Sequence, residues 1–84
     1  MKINFETIES MLDWLKGKEE KYEVYITKLT NEVVATPNVS TRPVRIGTCK
    51  YKTSIKELQT KINNTLPNLK SISVVEEVDY QVEK

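Results

Sequence analysis

The sequence of 84 residues contains no histidine, one cysteine and two glycines. Histidine is the commonest general base and a common metal ligand, so its absence excludes histidine-dependent catalytic triads. One cysteine cannot build a thiolate zinc site or an internal disulfide, and two glycines are too few for a P-loop or a dinucleotide-binding fingerprint. We therefore expect a protein that is not an enzyme and that uses neither a cofactor nor a bound metal.

Long apolar runs are also absent. No stretch approaches the roughly 20 apolar residues of a membrane span, and the first residues lack the apolar region of a secretory signal. The lone Cys49 fits a reducing compartment, and without a histidine to activate it we expect a buried structural residue on a strand and not a nucleophile. These features predict a cytoplasmic protein.

The length predicts one small domain over residues 1–84 with a thin core, since a domain of this size buries only roughly 60 to 65% of its unfolded surface. Small domains often gain buried area by association, so we expect a homo-oligomer. The 13 basic residues nearly balance the 12 acidic ones, which argues against a general polyanion binder.

Two segments have the period of amphipathic helices. Residues 5–16 have an apolar face at helical spacing, with Asn4 as the expected cap and Gly17 placed to end the helix. Ser54 and Glu57 match a capping box at the start of the second helix. The apolar faces consist of Ile8, Met11, Leu12 and Leu15 in the first helix and of Ile55, Leu58 and Ile62 in the second.

The segments between and after the helices alternate as strands do. Residues 22–29, the short segment 32–35, residues 44–51 and a final segment interrupted at Glu76 and Glu77 are the expected strands. The order α-β-(β)-β-α-β predicts an α+β domain with two helices packed on one face of a three- to four-stranded antiparallel or mixed sheet. The other face is expected to be partly exposed. A strand at residues 1–4, which would resemble a split βαβ arrangement, is the second topology.

Residues 35–56 carry five basic residues and no acidic one. Arg42 and Arg45 lie near two prolines and, with the hydroxyls of Ser40 and Thr41, form a group of donors suited to phosphate oxygens. We expect three more ligand-binding residues, which are Lys50, Tyr51 and Lys52; the tyrosine could stack on a base. The competing interpretation is an exposed connector made soluble by its charges.

These residues lead to two hypotheses. The first is a small non-catalytic binding protein that recognises an anionic ligand, a nucleotide or a nucleic-acid phosphate, through the basic loop and strand, either within one chain or across a homo-oligomer interface. The second is a protein-binding inhibitor or adaptor, such as an accessory protein of a phage or mobile element, that docks by an exposed sheet face or an acidic edge strand. Its interface would use Trp14, Glu76, Glu77 and Asp79, although Trp14 could equally flank the core and the carboxylates could form a solvated face.

Overall fold

The computed structural model describes residues 3–38, 46–69 and 72–77, and these residues form an α+β fold with two helices and a five-stranded mixed sheet. The elements are β1 (Ile3–Phe5), α1 (Ile8–Leu15), β2 (Tyr22–Thr27), β3 (Glu32–Pro37), β4 (Gly47–Lys50), α2 (Ile55–Thr65) and β5 (Ile72–Val75). The α+β class and the two helices confirm the prediction, whereas the sheet has more strands than the three or four expected.

The strands lie in the order β1-β4-β3-β2-β5. Strand β1 is parallel to β4 and β2 is parallel to β5, whereas β3 is antiparallel to both of its neighbours. Four of the described strands therefore point the same way. The connections through α1 and α2 each pass over two strands in the same direction, and crossovers of one hand then place both helices on the same face.

The core lies between the helices and one face of this sheet. Buried side chains of α1 and α2 form a single cluster with buried residues of the three central strands. The strand residues of that cluster occupy matching register positions, because side chains that are two apart point to the same face. They are Val24, Ile26, Val33, Ala35 and Cys49.

The opposite face is less open than the sequence predicts. Val34, Thr36 and Thr48 alternate with the helix-facing residues, yet all three are buried. Asn4 is exposed and Tyr25 half-buried on this same face. The expectation of a partly exposed face thus holds toward its margins but is wrong along β3.

The N-terminus differs most from the sequence-based boundaries. Asn4 lies in β1, where its side-chain oxygen accepts a hydrogen bond of 2.8 Å from the Thr48 hydroxyl, so it does not cap the helix. Helix α1 is instead capped by Thr7, whose hydroxyl oxygen accepts from the Ser10 amide at 3.1 Å. The second topology was therefore right about an N-terminal strand, which the structure describes as Ile3–Phe5.

Other boundaries follow the local signals. Gly17 has a φ of 82°, the left-handed conformation that ends a helix, and Ser54 accepts from the Glu57 amide at 3.2 Å. Of the predicted strand 44–51, Gly47–Lys50 forms β4, whereas Ile46 and Tyr51 flank it; Val44 and Arg45 lie outside the described residues. The final strand is described only up to Val75, with residues 76 and 77 following it.

Candidate functional site

Two parallel strands end side by side on the sheet, and each continues into a helix. Phe5 of β1 is the register partner of Cys49 of β4, and α1 and α2 begin a few residues later. The capped N-termini of both helices therefore lie at the same end of the sheet.

A cavity of about 250 Å³ opens at this end, and we call it the junction cleft. Its wall comes from the start of α1, from the segment that joins β4 to α2, and from one side of α2. The lining residues are Thr7, Ile8, Glu9, Lys50, Tyr51, Lys52, Thr53, Leu58 and Lys61. The lining combines three lysines with one carboxylate, two threonine hydroxyls, a tyrosine and a small apolar surface, so the cleft has the charge to hold an anion.

Glu9 and Lys61 join the two helices across the cleft by a hydrogen-bonded ion pair. The pKa of the Glu9 carboxyl lies below its ordinary value. The largest cause is the hydrogen bond from Lys61, followed by a hydrogen bond from the backbone of Glu9 itself and by the positive charge of Lys61. The side chains are 47% and 68% exposed for Lys61 and Glu9. An ion pair this open to water is screened and contributes little to stability, so an incoming anion can compete for Lys61.

Tyr51 fixes the backbone between the two lysines that precede α2. Its hydroxyl donates to the Thr27 carbonyl at 2.8 Å, and its amide donates to the Asn31 carbonyl at 3.0 Å. Asn31 has a positive φ of 54° in the turn between β2 and β3. The segment carrying Lys50 and Lys52 is thus held against a neighbouring turn, which orders the backbone that presents both ammonium groups.

The cleft brings together only part of the predicted binding group. Lys50, Tyr51 and Lys52 line it, whereas Ser40, Thr41, Arg42 and Arg45 lie outside the described residues. Ile46, which follows the range 39–45, lies at the opposite end of β4 from Lys50, about 13 Å away for four residues of extended strand. The described geometry therefore centres on the lysines.

Sequence reasoning missed the other half of the cleft. Thr7 and Glu9 begin α1, and Lys61 lies on α2 three residues after Leu58, 52 positions from Glu9. The signal that could have found them is the parallel pairing of β1 with β4, which places both helix starts together. That pairing leaves no mark in local periodicity, because β1 has only three residues.

Trp14, predicted for a protein interface, packs within the chain. Its ring lies 5.7 Å from the ring of Phe5 and 5.1 Å from that of Tyr22. The Lys18 ammonium sits 4.9 Å from the Trp14 ring and donates to the Trp14 carbonyl at 2.7 Å. These contacts favour a residue that flanks the core.

The acidic group of the second hypothesis is described only in part. Glu76 and Glu77 are exposed just after β5, and the Glu76 carbonyl accepts from the Leu29 amide at 3.0 Å. Asp79 lies outside the described residues, and within them no group of acidic and cysteine side chains is arranged to hold a metal ion. An interface through Trp14, Glu76, Glu77 and Asp79 stays a prediction.

Cys49 is buried on the helix-facing side of β4, as expected of a structural cysteine. Burial first, and the charge of Glu9 second, raise the pKa of its thiol above the ordinary value. A raised pKa lowers the thiolate fraction at any given pH, so we expect iodoacetamide to modify the native protein at least about tenfold more slowly than the urea-unfolded chain. Mass spectrometry of timed samples at pH 8 measures both rates. Equal rates would mean that the thiol is accessible in the native fold.

Neither described helix combines the length and the apolar character needed to cross a membrane. The chain matches no protein-family model, no curated protein and no solved structure. Within the described structure, the junction cleft combines a cavity, three lysines and a backbone that is fixed by hydrogen bonds.

Proposed function

We propose that the protein is a small non-catalytic binding protein that recognises an anionic ligand, a nucleotide or a nucleic-acid phosphate, through the junction cleft. The observation that carries the proposal is the meeting of Lys50, Lys52 and Lys61 at one cavity with Glu9 as the opposing charge. These lysines come from two separate elements. Such convergence differs from an ordinary solvated face, where charges of both signs are spread along one element.

Phosphate suits this set of donors. Lysine ammonium groups bind phosphate as compact charges with rotatable donors, and a hydroxyl can complete the shell. The Thr7 hydroxyl already pairs with Ser10 at 2.8 Å, whereas the Thr53 hydroxyl makes no bond within the described part of the chain. Thr53 is therefore the hydroxyl that we assign to the ligand. The half-buried Ile8 adds an apolar surface on which an organic part of the ligand can pack.

Binding without chemistry is the simpler use of these groups. Glu9, which supplies the carboxylate of the cleft, is already bonded to Lys61, and its pKa is lowered, which makes it a weaker base. The single thiol of the sequence, that of Cys49, is buried and has a raised pKa. General-base catalysis is most efficient when the pKa lies near the working pH, and neither shift moves toward that condition.

Removing two of the lysine charges tests the proposal. We expect a Lys50→Gln/Lys52→Gln variant to bind deoxyadenosine monophosphate at least about tenfold more weakly than the wild-type protein, because each charge-assisted hydrogen bond contributes about 1.5 to 3 kcal/mol. Isothermal titration calorimetry at low salt measures the affinity, and added salt should weaken it. Lys21→Gln/Lys28→Gln is the matched control, since it removes the same charge from exposed lysines outside the cleft.

Two results would contradict this assignment. Wild-type protein that binds neither deoxyadenosine monophosphate nor an oligodeoxyadenylate at low salt would refute the proposed function. Binding that survives in Lys50→Gln/Lys52→Gln but disappears in Arg42→Ala/Arg45→Ala, with the melting temperature unchanged, would move the ligand to the arginine pair predicted from sequence. The proposal predicts instead that binding is lost in Lys50→Gln/Lys52→Gln and survives in Arg42→Ala/Arg45→Ala.

A further inference from the structure

Resting on the proposed function, we infer that the junction cleft takes a single small phosphate monoester and not a nucleic-acid backbone, and that Glu9 lowers the affinity for this ligand by holding Lys61. The inference depends on the charge inside the cleft, on the charges around it and on its size. Each of these belongs to residues that the structure describes.

The charge inside the cleft matches a dianion. Lys50 and Lys52 form no ion pair within the described part of the chain, while Lys61 is bonded to Glu9. Two ammonium groups are thus left to the ligand. A phosphate monoester carries about −1.5 to −2 charge at pH 7 with three terminal oxygens, whereas each phosphodiester of a nucleic acid carries a single negative charge. A single phosphate monoester therefore neutralises the charge of both ammonium groups.

The surroundings of the cleft carry charges of both signs. Beyond Lys61 the surface continues into a cavity of about 350 Å³ between the helices, which contains Glu9 and Asp13 with one further lysine, and into one of about 480 Å³ along α2, which contains Glu57 with one further lysine. A nucleic-acid strand leaving the cleft by either route would meet a carboxylate. Proteins that track a nucleic-acid backbone present a continuous stripe or groove of basic residues instead.

The size of the cleft points the same way. At about 250 Å³ it is just smaller than the roughly 300 to 1,000 Å³ typical of sites for drug-sized ligands. It can hold a phosphate group and a small adjoining part of a molecule, with Ile8 against that part. The ligand class that fits is a small phosphate monoester, either a nucleoside monophosphate or another phosphorylated metabolite.

Glu9 acts as an internal competitor in this arrangement. Its carboxylate bonds the same ammonium group of Lys61 that a phosphate oxygen would bond, and both side chains are exposed enough to exchange partners. Neutralising Glu9 frees Lys61 without removing any donor from the cleft. Affinity for a monoester should therefore rise by roughly twofold to fivefold, the size of the effect of an exposed ion pair.

The experiment compares two probes and two variants by isothermal titration calorimetry at low salt. The probes are deoxyadenosine monophosphate and an oligodeoxyadenylate with hydroxyl groups at both ends, which share base and sugar and differ in the phosphate ester. The variants are Glu9→Gln and the control Asp13→Asn, whose carboxylate pairs with Lys16 at 3.7 Å outside the cleft. We expect the wild-type protein to bind the monophosphate at least tenfold more tightly per site, and Glu9→Gln alone to gain affinity. Inorganic phosphate that binds as well as the monophosphate would identify the phosphate group itself as the element recognised.

Other outcomes overturn the inference. Oligodeoxyadenylate binding as tight as that of the monophosphate would make the cleft a nucleic-acid site. Unchanged or weaker monophosphate binding by Glu9→Gln, or an equal gain in Asp13→Asn, would remove the specific role of Glu9. A complete lack of binding by the wild-type protein and by Glu9→Gln would instead refute the proposed function, so the two failures are distinguishable.

Discussion

We expect a Val34→Lys variant to lose the cooperative unfolding transition of the wild-type domain. Val34 lies in β3, the middle strand of the described sheet, and its exposed fraction is 0%. A lysine there would move an ammonium group out of water into a fully buried position, and burying a charge costs several kcal/mol, about 3 to 5 when its pairing is incomplete. Small domains are stable by only about 5 kcal/mol at the lower end of the usual range, so the substitution removes most or all of the stability.

The substitution is informative because Val34 does not belong to the core beneath the helices. Its neighbours Val33 and Ala35 do, whereas Val34 faces the other way and pairs with Tyr25 and Thr48. On a solvent-exposed sheet face, a change from valine to lysine usually alters stability by no more than about 0.5 kcal/mol. Burial, and then the bond to Glu23, also raise the pKa of the Tyr25 phenol, which is consistent with shielding from water beside Val34.

Urea titrations followed by far-ultraviolet circular dichroism and by fluorescence measure the effect. Trp14 is the only tryptophan and lies between two aromatic rings, so its emission reports the packing of α1. Glu23→Lys is the control, because it places a lysine on the same face at an exposed position, where the hydrogen bond that it loses from the Tyr25 hydroxyl is exposed as well. A Val34→Lys variant with the urea midpoint of the wild-type protein would show that this face is open to water.

The helices could be predicted because their signals are local. The apolar spacing of α1, the cap at Ser54 and the left-handed Gly17 all lie within one or two turns of the chain, and the structure contains each of them. The error at Asn4 has the same origin. Asparagine before an apolar helix is a good local cap, but a partner in β4, Thr48, holds its side chain in the sheet instead.

The sheet was harder to predict because its pairing depends on contacts that are distant in sequence. Strand β1 has three residues and is held by parallel pairing with β4, more than 40 positions away. A segment so short has no measurable alternation, and its identity as a strand comes from its neighbour. The burial of Val34 was missed for a related reason, since alternation identifies two faces without showing whether either is covered.

The candidate site follows the same division. Lys50, Tyr51 and Lys52 stand out in the sequence because they lie in a segment without acidic residues. Lys61 and Glu9 do not, because each is an ordinary charged residue on an amphipathic helix. Only the parallel arrangement of β1 and β4 makes them neighbours of the lysines. Composition therefore identified the basic segment, and topology was needed to identify the cavity.

The second large effect is expected in α2, where an Ile62→Ala variant should lose about 2 to 5 kcal/mol of its free energy of unfolding. Leu58 and Ile62 are the buried residues of this helix, and Ile62 has an exposed fraction of 0%. The remaining positions of α2 are half-buried or exposed and mostly polar. Truncating Ile62 thus removes one of two anchors and leaves a cavity against the cluster that contains Met11.

Two further variants of α2 separate the effect of how much of the side chain is removed from the effect of where it is removed. Ile62→Val removes one methylene and should cost about 0.5 to 1.5 kcal/mol, between the wild-type protein and Ile62→Ala. Asn63→Ala, at the adjacent exposed position, should leave stability unchanged or slightly higher, because alanine is the better helix former. Urea midpoints with a common slope give all three values. An Ile62→Ala variant that lost no more free energy of unfolding than Asn63→Ala would show that α2 is not anchored through Ile62. The position of Lys61 in the junction cleft would then lose its structural support, because Lys61 and Ile62 are adjacent on α2.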